Sequence, residues 1–135
     1  MVSTEKSLVI IKPDGVKKKK IGEIISRLEC EDLTIEKLKM IKIDRDLACR
    51  HYCDHKSKEF FDMLIKYITS GPSVAAVVSG KDAISRIRKL MGPTDSKKAK
   101  KGTIRGDFGV DITTNVIHGS DSPESAGREI KLFFG

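Results

Sequence analysis

A short stretch near the start of the chain, Ser7-Leu-Val-Ile-Ile11, decides the fold class. It is followed at once by Lys12-Pro-Asp-Gly15, in which proline, aspartate and glycine together are typical of a turn. The apolar residues of the stretch are continuous rather than alternating, and most of them are β-branched, which favours a strand. We therefore expect an interior strand that ends at Lys12.

Three other segments predict the rest of a sheet. Val74-Ala-Ala-Val-Val78 has the same continuous apolar character and predicts a second interior strand. Residues 33–43 have strand character with interspersed lysines, which is typical of an edge strand, and Val116 and Ile117 predict a short fourth strand. With helices between the strands, this order predicts an α/β fold (an α+β sandwich): a ferredoxin-like, four-stranded antiparallel sheet with helices on its face and a long loop, residues 92–114, before the last strand.

The C-terminal segment combines a helix with a histidine just before it. Ser122 and Pro123 are helix-start signals, so we expect His118 to lie on the turn between the last strand and this helix. Ala126, Ile130 and Phe133 would form the buried stripe of the helix, with Glu129 at the edge of that stripe. A carboxylate in such a place usually has a partner, and His118 and Ser120 are candidates. The alternative is that Glu129 reaches water and His118 is an ordinary loop histidine.

Composition restricts the kind of protein. The chain has 135 residues, which predicts a single domain over residues 1–135. No apolar run reaches the length of a membrane span, no signal-peptide pattern opens the chain, and three cysteines cannot all pair, so we expect a cytoplasmic protein without a membrane contact. The formal net charge of +7, with lysine runs at 17–20 and 97–101, indicates an anionic partner: nucleic acid, acidic lipid or a phosphorylated small molecule.

The chain contains neither of the two common glycine-rich phosphate loops, Gly-x-x-x-x-Gly-Lys-Ser/Thr and Gly-x-Gly-x-x-Gly. Any phosphate would therefore be held by side chains at element ends and in loops, where binding sites concentrate. The candidates for this task are Lys12, Arg88, Thr94, Arg105 and His118.

Six motifs, in order along nearly the whole chain, resemble those of the nucleoside diphosphate kinases. They are Lys12-Pro-Asp-Gly-Val16, His51-Tyr52, Phe60-Phe61, Ser70-Gly-Pro72, Gly102-Thr-Ile-Arg-Gly-Asp-Phe108 and Asn115-Val-Ile-His-Gly-Ser-Asp-Ser122. The last two are highly specific to that family. The resemblance implies transfer of the γ-phosphate of a nucleoside triphosphate to a nucleoside diphosphate, by a ping-pong mechanism through a phosphohistidine and with Mg²⁺.

The resemblance also implies a role for individual residues. His118 would carry the phosphoryl group, and Glu129 would orient its ring with Ser120 as intermediary. Lys12 would contact the sugar 3′-hydroxyl and the transferring phosphate, while the Mg²⁺ would be held by the nucleotide phosphates without direct protein ligands and reached through water by Asp121. The remaining assignments are Arg88, Thr94, Arg105 and His55 to the phosphates, Asn115 to the sugar hydroxyls, Phe60 and Ile112 to the two faces of the base with broad base specificity, and Tyr52 to the pocket wall.

The family resemblance further implies a homo-oligomer, with a hexamer favoured over a tetramer. The segment Asp95-Ser-Lys-Lys-Ala-Lys-Lys-Gly102 departs from the family pattern in a loop that shapes the site. A competing hypothesis is a basic ferredoxin-like module that binds nucleic acid through the lysine runs. That hypothesis predicts aromatic residues on exposed strands. Nucleic-acid binding is otherwise expected at most as a side activity.

Overall fold

The structure, a computed structural model, describes residues 4–53 and 59–135. None of the helices in these two ranges is long and apolar enough to cross a lipid bilayer. A short 3-10 helix at Ser96–Lys98 accompanies the main elements. The main elements of the described residues are β1 (Thr4–Ile11), α1 (Pro13–Lys17), α2 (Ile21–Cys30), β2 (Thr34–Lys42), α3 (Arg45–His51), α4 (Phe61–Ile68), β3 (Pro72–Lys81), α5 (Ala83–Met91), α6 (Ile104–Phe108), β4 (Ile117–Gly119) and α7 (Pro123–Phe134).

The four strands form one antiparallel sheet in the order β2-β3-β1-β4. β1 pairs with β3 from Thr4 opposite Lys81 to Ile11 opposite Val74, and its last residues pair with β4 on the other side. The two continuous apolar runs are thus the inner strands, and the lysine-containing strand β2 is at an edge. The ferredoxin-like sheet predicted from the sequence is confirmed.

Helices cover both faces of the sheet, whereas the sequence had indicated only that helices lie on its face. Val9 and Ile11 of β1 point to a core shared with α2, α5 and α6. Leu8 and Ile10 point the opposite way, to a core shared with α3, α4 and α7. The physical reason lies in the strands themselves, since a continuous apolar run presents apolar side chains to both faces and each face must be covered.

The segment between α5 and β4 contains helical structure that the sequence analysis did not predict. Residues 92–114 were interpreted as a long loop, but they include α6, and the side chain of Thr103 accepts a hydrogen bond from the N–H of Gly106 at its start. The five residues of α6 are too few to show a helical period in the sequence. This short helix places the side chain of Arg105 in a buried position at the edge of the core.

His118 lies within β4, not on the turn after it as predicted. It is opposite Ile10 of β1, with Ile117 and Gly119 on either side. The residues that follow Ile117 favour a turn by their local preferences. They form a strand instead because they pair with the free edge of β1. The strand therefore holds the histidine backbone in place, while the helix start at Ser122 and Pro123 is as predicted.

We expect two glycine substitutions to change stability in opposite directions. A Cβ at Gly106 would collide with the backbone carbonyl of Lys100, so Gly106→Ala should lower the free energy of unfolding by about 1–3 kcal/mol. Gly127, on the exposed side of α7, has nothing within 4 Å of an added Cβ, so Gly127→Ala should raise it by about 0.5–1 kcal/mol. Urea unfolding at one fixed protein concentration measures both, and equal stability of the two variants would contradict this packing.

Candidate active site

An open cleft of about 520 Å³ lies where the end of β1, the segment before β4 and the start of α7 meet. Ser120 lies behind the wall of this cleft, fully buried, and His55 falls outside the described residues. The structure brings the other residues singled out in the sequence together in the wall: Lys12, Tyr52, Phe60, Arg88, Thr94, Arg105, Ile112, Asn115, His118, Asp121 and Glu129.

The most unusual group in the cleft is the carboxylate of Glu129, which is only 5% exposed. Its Oε1 lies 2.9 Å from Nε2 of His118 and accepts a hydrogen bond of 2.7 Å from the hydroxyl of Ser120. The Ser120 hydroxyl in turn accepts from the N–H of Leu8 in β1. Ser120 therefore does not stand between His118 and Glu129, as the sequence had suggested, because both groups bond the same oxygen directly.

The hydrogen bonds decide the charge of Glu129. Burial by itself raises the pKa of this carboxyl, but the hydrogen bonds from His118 and Ser120 and the nearby guanidinium of Arg128 outweigh burial and hold its pKa below the usual value. The carboxylate is thus ionised at neutral pH. An anion beside Nε2 favours the tautomer in which Nε2 carries the proton, which leaves the lone pair of the neutral ring on Nδ1.

His51 is a neighbour of this pair that the sequence analysis noted only as part of a motif. Its ring packs edge-on against the ring of His118, with centroids 4.7 Å apart, and its Nδ1 lies 3.9 Å from Oε2 of Glu129. The side chain is almost completely buried at the end of α3. No local sequence signal separates such a histidine from an ordinary core residue, because its contacts are made across the fold.

Two buried cations form the inner wall of the cleft. The ammonium of Lys12 donates to Oδ1 of Asn115 at 2.8 Å, and burial together with the charge of Arg105 lowers the pKa of Lys12 to about 7, against the opposing effect of Asp14. Arg105 donates to the carbonyls of Gly92 and Ile117, while its Nε is buried without a hydrogen-bond partner among the described residues. A buried donor in a cleft wall is available to an anionic ligand.

The outer cationic wall is more accessible. Arg88, near the end of α5, donates to the carbonyl of Gly119, and Thr94 lies on the exposed segment that follows α5. Asp121 is exposed at the same rim, and its hydrogen bond with Ser125 keeps the pKa of its carboxyl below the usual value. The cleft thus combines a mostly positive wall with one exposed carboxylate.

Asn115 ties three segments together. Its amide nitrogen donates to the carbonyls of Thr94 and Ile112, both at 3.0 Å, and its oxygen accepts from Lys12. Both amide hydrogens are thereby used inside the protein, so a ligand would be bound through the second lone pair of Oδ1. An oxygen acceptor in that position suits a hydroxyl donor.

The mouth of the cleft is apolar. Phe60 and Ile112 are 43% and 61% exposed, although both are large apolar side chains. Met63 of α4, which the sequence analysis did not single out, is 59% exposed beside them, with its sulfur 3.7 Å from the hydroxyl of Thr113. Exposed apolar side chains gathered at a cleft mouth mark a place where an apolar or aromatic ligand surface is buried.

Asp14 has contacts that the sequence interpretation missed, since the residue was taken as turn chemistry only. One carboxylate oxygen accepts a hydrogen bond from the hydroxyl of Tyr67 in α4, and the other accepts from the N–H of Val116 at 3.1 Å. Val116 has a φ of 61°, in the left-handed region that β-branched residues rarely adopt. Residues 12–15, which the sequence had indicated as a turn, form the N-cap and start of α1, and Asp14 binds this helix directly to the segment that carries Asn115 and His118.

Comparisons with known proteins show the family of this chain. The sequence model of the family described as nucleoside diphosphate kinase matches residues 5–135. The chain is 56% identical over 130 residues to a nucleoside diphosphate kinase of Pelotomaculum thermopropionicum, covering 96% of this chain and 87% of that protein. It is 53% identical over 131 residues to that of Rubrobacter xylanophilus, covering 97% of this chain and 98% of that protein.

Solved structures give the same answer. The nucleoside diphosphate kinase of Aquifex aeolicus superposes with a TM-score of 0.96 at 43% identity, covering 98% of this chain and 96% of that one. A halophilic nucleoside diphosphate kinase from Halobacterium salinarum, solved in complex with CDP, superposes with a TM-score of 0.95 at 48% identity, covering 98% and 88%. The chain belongs to the nucleoside diphosphate kinase family, whose members are nucleotide-binding phosphotransferases.

Proposed function

We propose that this single domain, residues 1–135, transfers the γ-phosphate of a nucleoside triphosphate to a nucleoside diphosphate through a phosphohistidine at His118. The observation that carries the proposal is the bond between His118 Nε2 and the buried, ionised Glu129 in the wall of an open cleft. None of the described residues hydrogen-bonds to the other ring nitrogen, Nδ1. That nitrogen is therefore the nucleophile, since the neutral ring with its proton on Nε2 has its lone pair on Nδ1 and needs no separate base.

The first half-reaction forms a bond between Nδ1 and the γ-phosphorus while the bond from that phosphorus to the β-phosphate oxygen breaks. The nucleoside diphosphate leaves with the bonding electrons, and the ring of His118 becomes cationic. Its Nε2–H remains on the ring and donates to Glu129, whose negative charge stabilises the developing positive charge. No proton has to move between groups in this step.

The second half-reaction is the reverse with a different nucleotide. A terminal β-phosphate oxygen of the acceptor diphosphate attacks the phosphorus, the P–N bond breaks, and the electron pair returns to Nδ1. In both directions charge develops on phosphate oxygens, so the transfer depends mainly on positioning and on surrounding positive charge. Arg88, Arg105 and Lys12 supply that charge, Thr94 supplies a hydroxyl, and His55 stays a predicted additional contact.

Sugar and base would be held nearer to the mouth of the cleft. Lys12 would donate to the 3′-hydroxyl, and Oδ1 of Asn115 would accept from a sugar hydroxyl, as its remaining bonding capacity suggests. Phe60 and Ile112 would pack on the two faces of the base. Because these contacts use the ring faces that purines and pyrimidines share, and no hydrogen bond to a base edge, broad base specificity follows.

The residues of the cleft fit a Mg²⁺ ion that is carried by the nucleotide. Mg²⁺ takes oxygen ligands and retains several waters, and when bound it would neutralise phosphate charge. Of the carboxylates in the wall, Glu129 is engaged by His118 and Ser120, while Asp121 is exposed and ionised at the rim. Asp121 would therefore orient a water ligand of the ion, and the nitrogen-rich group of His51, His118 and Glu129 is unsuited to this metal.

The competing nucleic-acid module has less support. Its aromatic stacking surface would require exposed aromatic residues on the sheet, but the four described strands contain no Phe, Tyr or Trp, and both sheet faces are covered by helices. Binding of nucleic acid through the lysine runs remains at most a side activity of the charged surface.

We further propose that the enzyme is a homo-oligomer, a hexamer rather than a tetramer. The outer edge of β2 leaves Leu38 and Met40 54% and 58% exposed on the same side of the strand. A long edge strand with exposed apolar side chains is normally covered in the native assembly. A second copy of this chain is the occupant that the family resemblance implies.

The phosphohistidine is tested with γ-labelled ATP and Mg²⁺. We expect the wild-type protein to take up an acid-labile label and to pass it to either GDP or CDP. The His118→Ala variant should take up no label. Glu129→Gln should slow labelling by about ten- to a hundredfold, since a hydrogen bond to a charged group contributes about 1.5–3 kcal/mol. Well-folded wild-type protein that stays unlabelled would refute the proposal.

Nucleotide binding should be accompanied by proton uptake at Lys12. Because its pKa is about 7 in the free protein, Lys12 is largely neutral at pH 8, and contact with phosphate anions would raise its pKa and protonate it. We expect net proton uptake at pH 8, up to about one proton per site, when ADP and Mg²⁺ bind. Titration calorimetry in buffers of different ionisation enthalpy measures the uptake, and Lys12→Met should abolish it; equal uptake in both proteins would exclude Lys12 as the source.

The assembly surface is tested by light scattering. We expect the wild-type mass to correspond to six chains and the double variant Leu38→Lys and Met40→Lys to be smaller, because buried lysines would oppose association. Val110→Lys is the matched control, since Val110 is similarly exposed, at 50%, but lies before β4. A double variant that keeps the wild-type mass would rule out the β2 edge.

A further inference from the structure

Val116 has an unfavourable backbone conformation at a critical place. A φ of 61° is energetically costly for a β-branched residue. Val116 is also completely buried, so the packing around it prevents a change to a more favourable φ. It lies directly between Asn115 and the strand β4 that carries His118. A different φ at this position would change the direction of the chain between these two site residues.

Both polar backbone groups of Val116 are bound by Lys12 and the start of α1. Its carbonyl accepts from the N–H of Lys12 at 2.7 Å, and its N–H donates to the carboxylate of Asp14 at 3.1 Å. The two segments are also in close contact at Gly15, where a Cβ would lie 3.2 Å from the Val116 carbonyl oxygen and 2.9 Å from a methyl group of Ile11. Lys12 and α1 thus hold the two peptide groups on either side of the Val116 Cα.

Tyr67 of α4 fixes the orientation of Asp14. Its hydroxyl donates to the carboxylate oxygen that Val116 does not use. Burial and the neighbouring Asp14 raise the pKa of the Tyr67 hydroxyl, so it stays a proton donor throughout the physiological range. A carboxylate can accept from both donors at once, whereas an amide in its place has only one acceptor oxygen.

We propose that Asp14 is a positioning residue of the active site: held by Tyr67, its carboxylate keeps Val116 in the left-handed conformation and so sets Asn115 and His118 in place relative to Lys12. Asn115 binds the ammonium of Lys12, and the carbonyl of Ile117 holds Arg105 at 2.7 Å. The positions of Asn115, His118 and Arg105, which are proposed to contact the nucleotide, therefore depend on the φ angle of Val116. This inference rests on the proposed function of the cleft.

The test combines Asp14→Asn with Val116→Gly. Glycine adopts a positive φ without steric cost, so it makes the acceptor on Asp14 unnecessary for the backbone conformation. We expect D14N to lower kcat/KM by about ten- to a hundredfold in the otherwise wild-type chain, and by less than about threefold in the V116G chain. The loss of the buried valine side chain lowers stability in both V116G proteins alike, so kinetics are measured well below the unfolding transition.

Two results would overturn the inference. One is a D14N effect on kcat/KM of equal size with and without V116G. The other is a D14N protein that is less stable in urea but has wild-type kcat and KM, which is the behaviour of a purely structural residue. Should D14N not unfold cooperatively, Y67F replaces it: we expect a loss of about threefold or more in kcat/KM, and V116G should remove that loss.

A spectroscopic measurement separates failure of the inference from failure of the proposed function. The ¹⁵N shifts of the His118 ring report the hydrogen bond from Nε2 to Glu129 without any turnover. We expect D14N to move these shifts and the D14N/V116G protein to return them towards those of V116G. Unmoved shifts in D14N overturn the positioning role, whereas wild-type protein without phosphotransfer overturns the proposed function and leaves the ring measurement valid.

Discussion

From Ser7 to Ile11, strand β1 is completely buried, and the rest of the structure depends on this burial. Its side chains from Leu8 to Ile11 are essentially inaccessible to water, with two of them in each of the two cores. Its two edges bond to β3 and β4, so the backbone groups are satisfied as well. Because the strand cannot shift without exposing apolar side chains on both faces, the position of Lys12 at its end is rigid.

That rigidity allows the site to contain charges that would otherwise be unstable. The ammonium of Lys12 and the carboxylate of Glu129 are both buried, and burial disfavours each charged form. Glu129 keeps its charge because His118 and Ser120 bond it, whereas Lys12 has a neutral partner in Asn115 and a lowered pKa. The two groups thus differ: the Glu129 carboxylate is ionised at neutral pH, whereas the charge of Lys12 changes with pH near neutrality.

Three unfavourable features of the chain lie around the cleft. They include the positive φ of Val116, the buried Nε of Arg105 without a partner among the described residues, and the exposed apolar side chains at the mouth. Other departures lie outside the cleft, among them the positive φ of Lys19, Asp32 and Asp82. An unfavourable local conformation persists where many surrounding contacts hold it in place. Such conformations are typical of functional sites.

By itself, the sequence determined the sheet, the inner position of its two apolar strands and the start of the last helix. Continuous apolar runs and helix-start residues are local properties of Ser7-Leu-Val-Ile-Ile11, Val74-Ala-Ala-Val-Val78 and Ser122. The family resemblance also supplied most of the residues of the cleft, through motifs rather than through geometry. Only the tertiary structure decided that His118 belongs to β4, that Ser120 and His118 share one oxygen of Glu129, and that Asp14 holds Val116. The physical reason is that these contacts join residues from different elements of the chain. A backbone angle that depends on a carboxylate elsewhere in the sequence produces no hydrophobic period and no local preference, and the same is true of a shared hydrogen-bond acceptor.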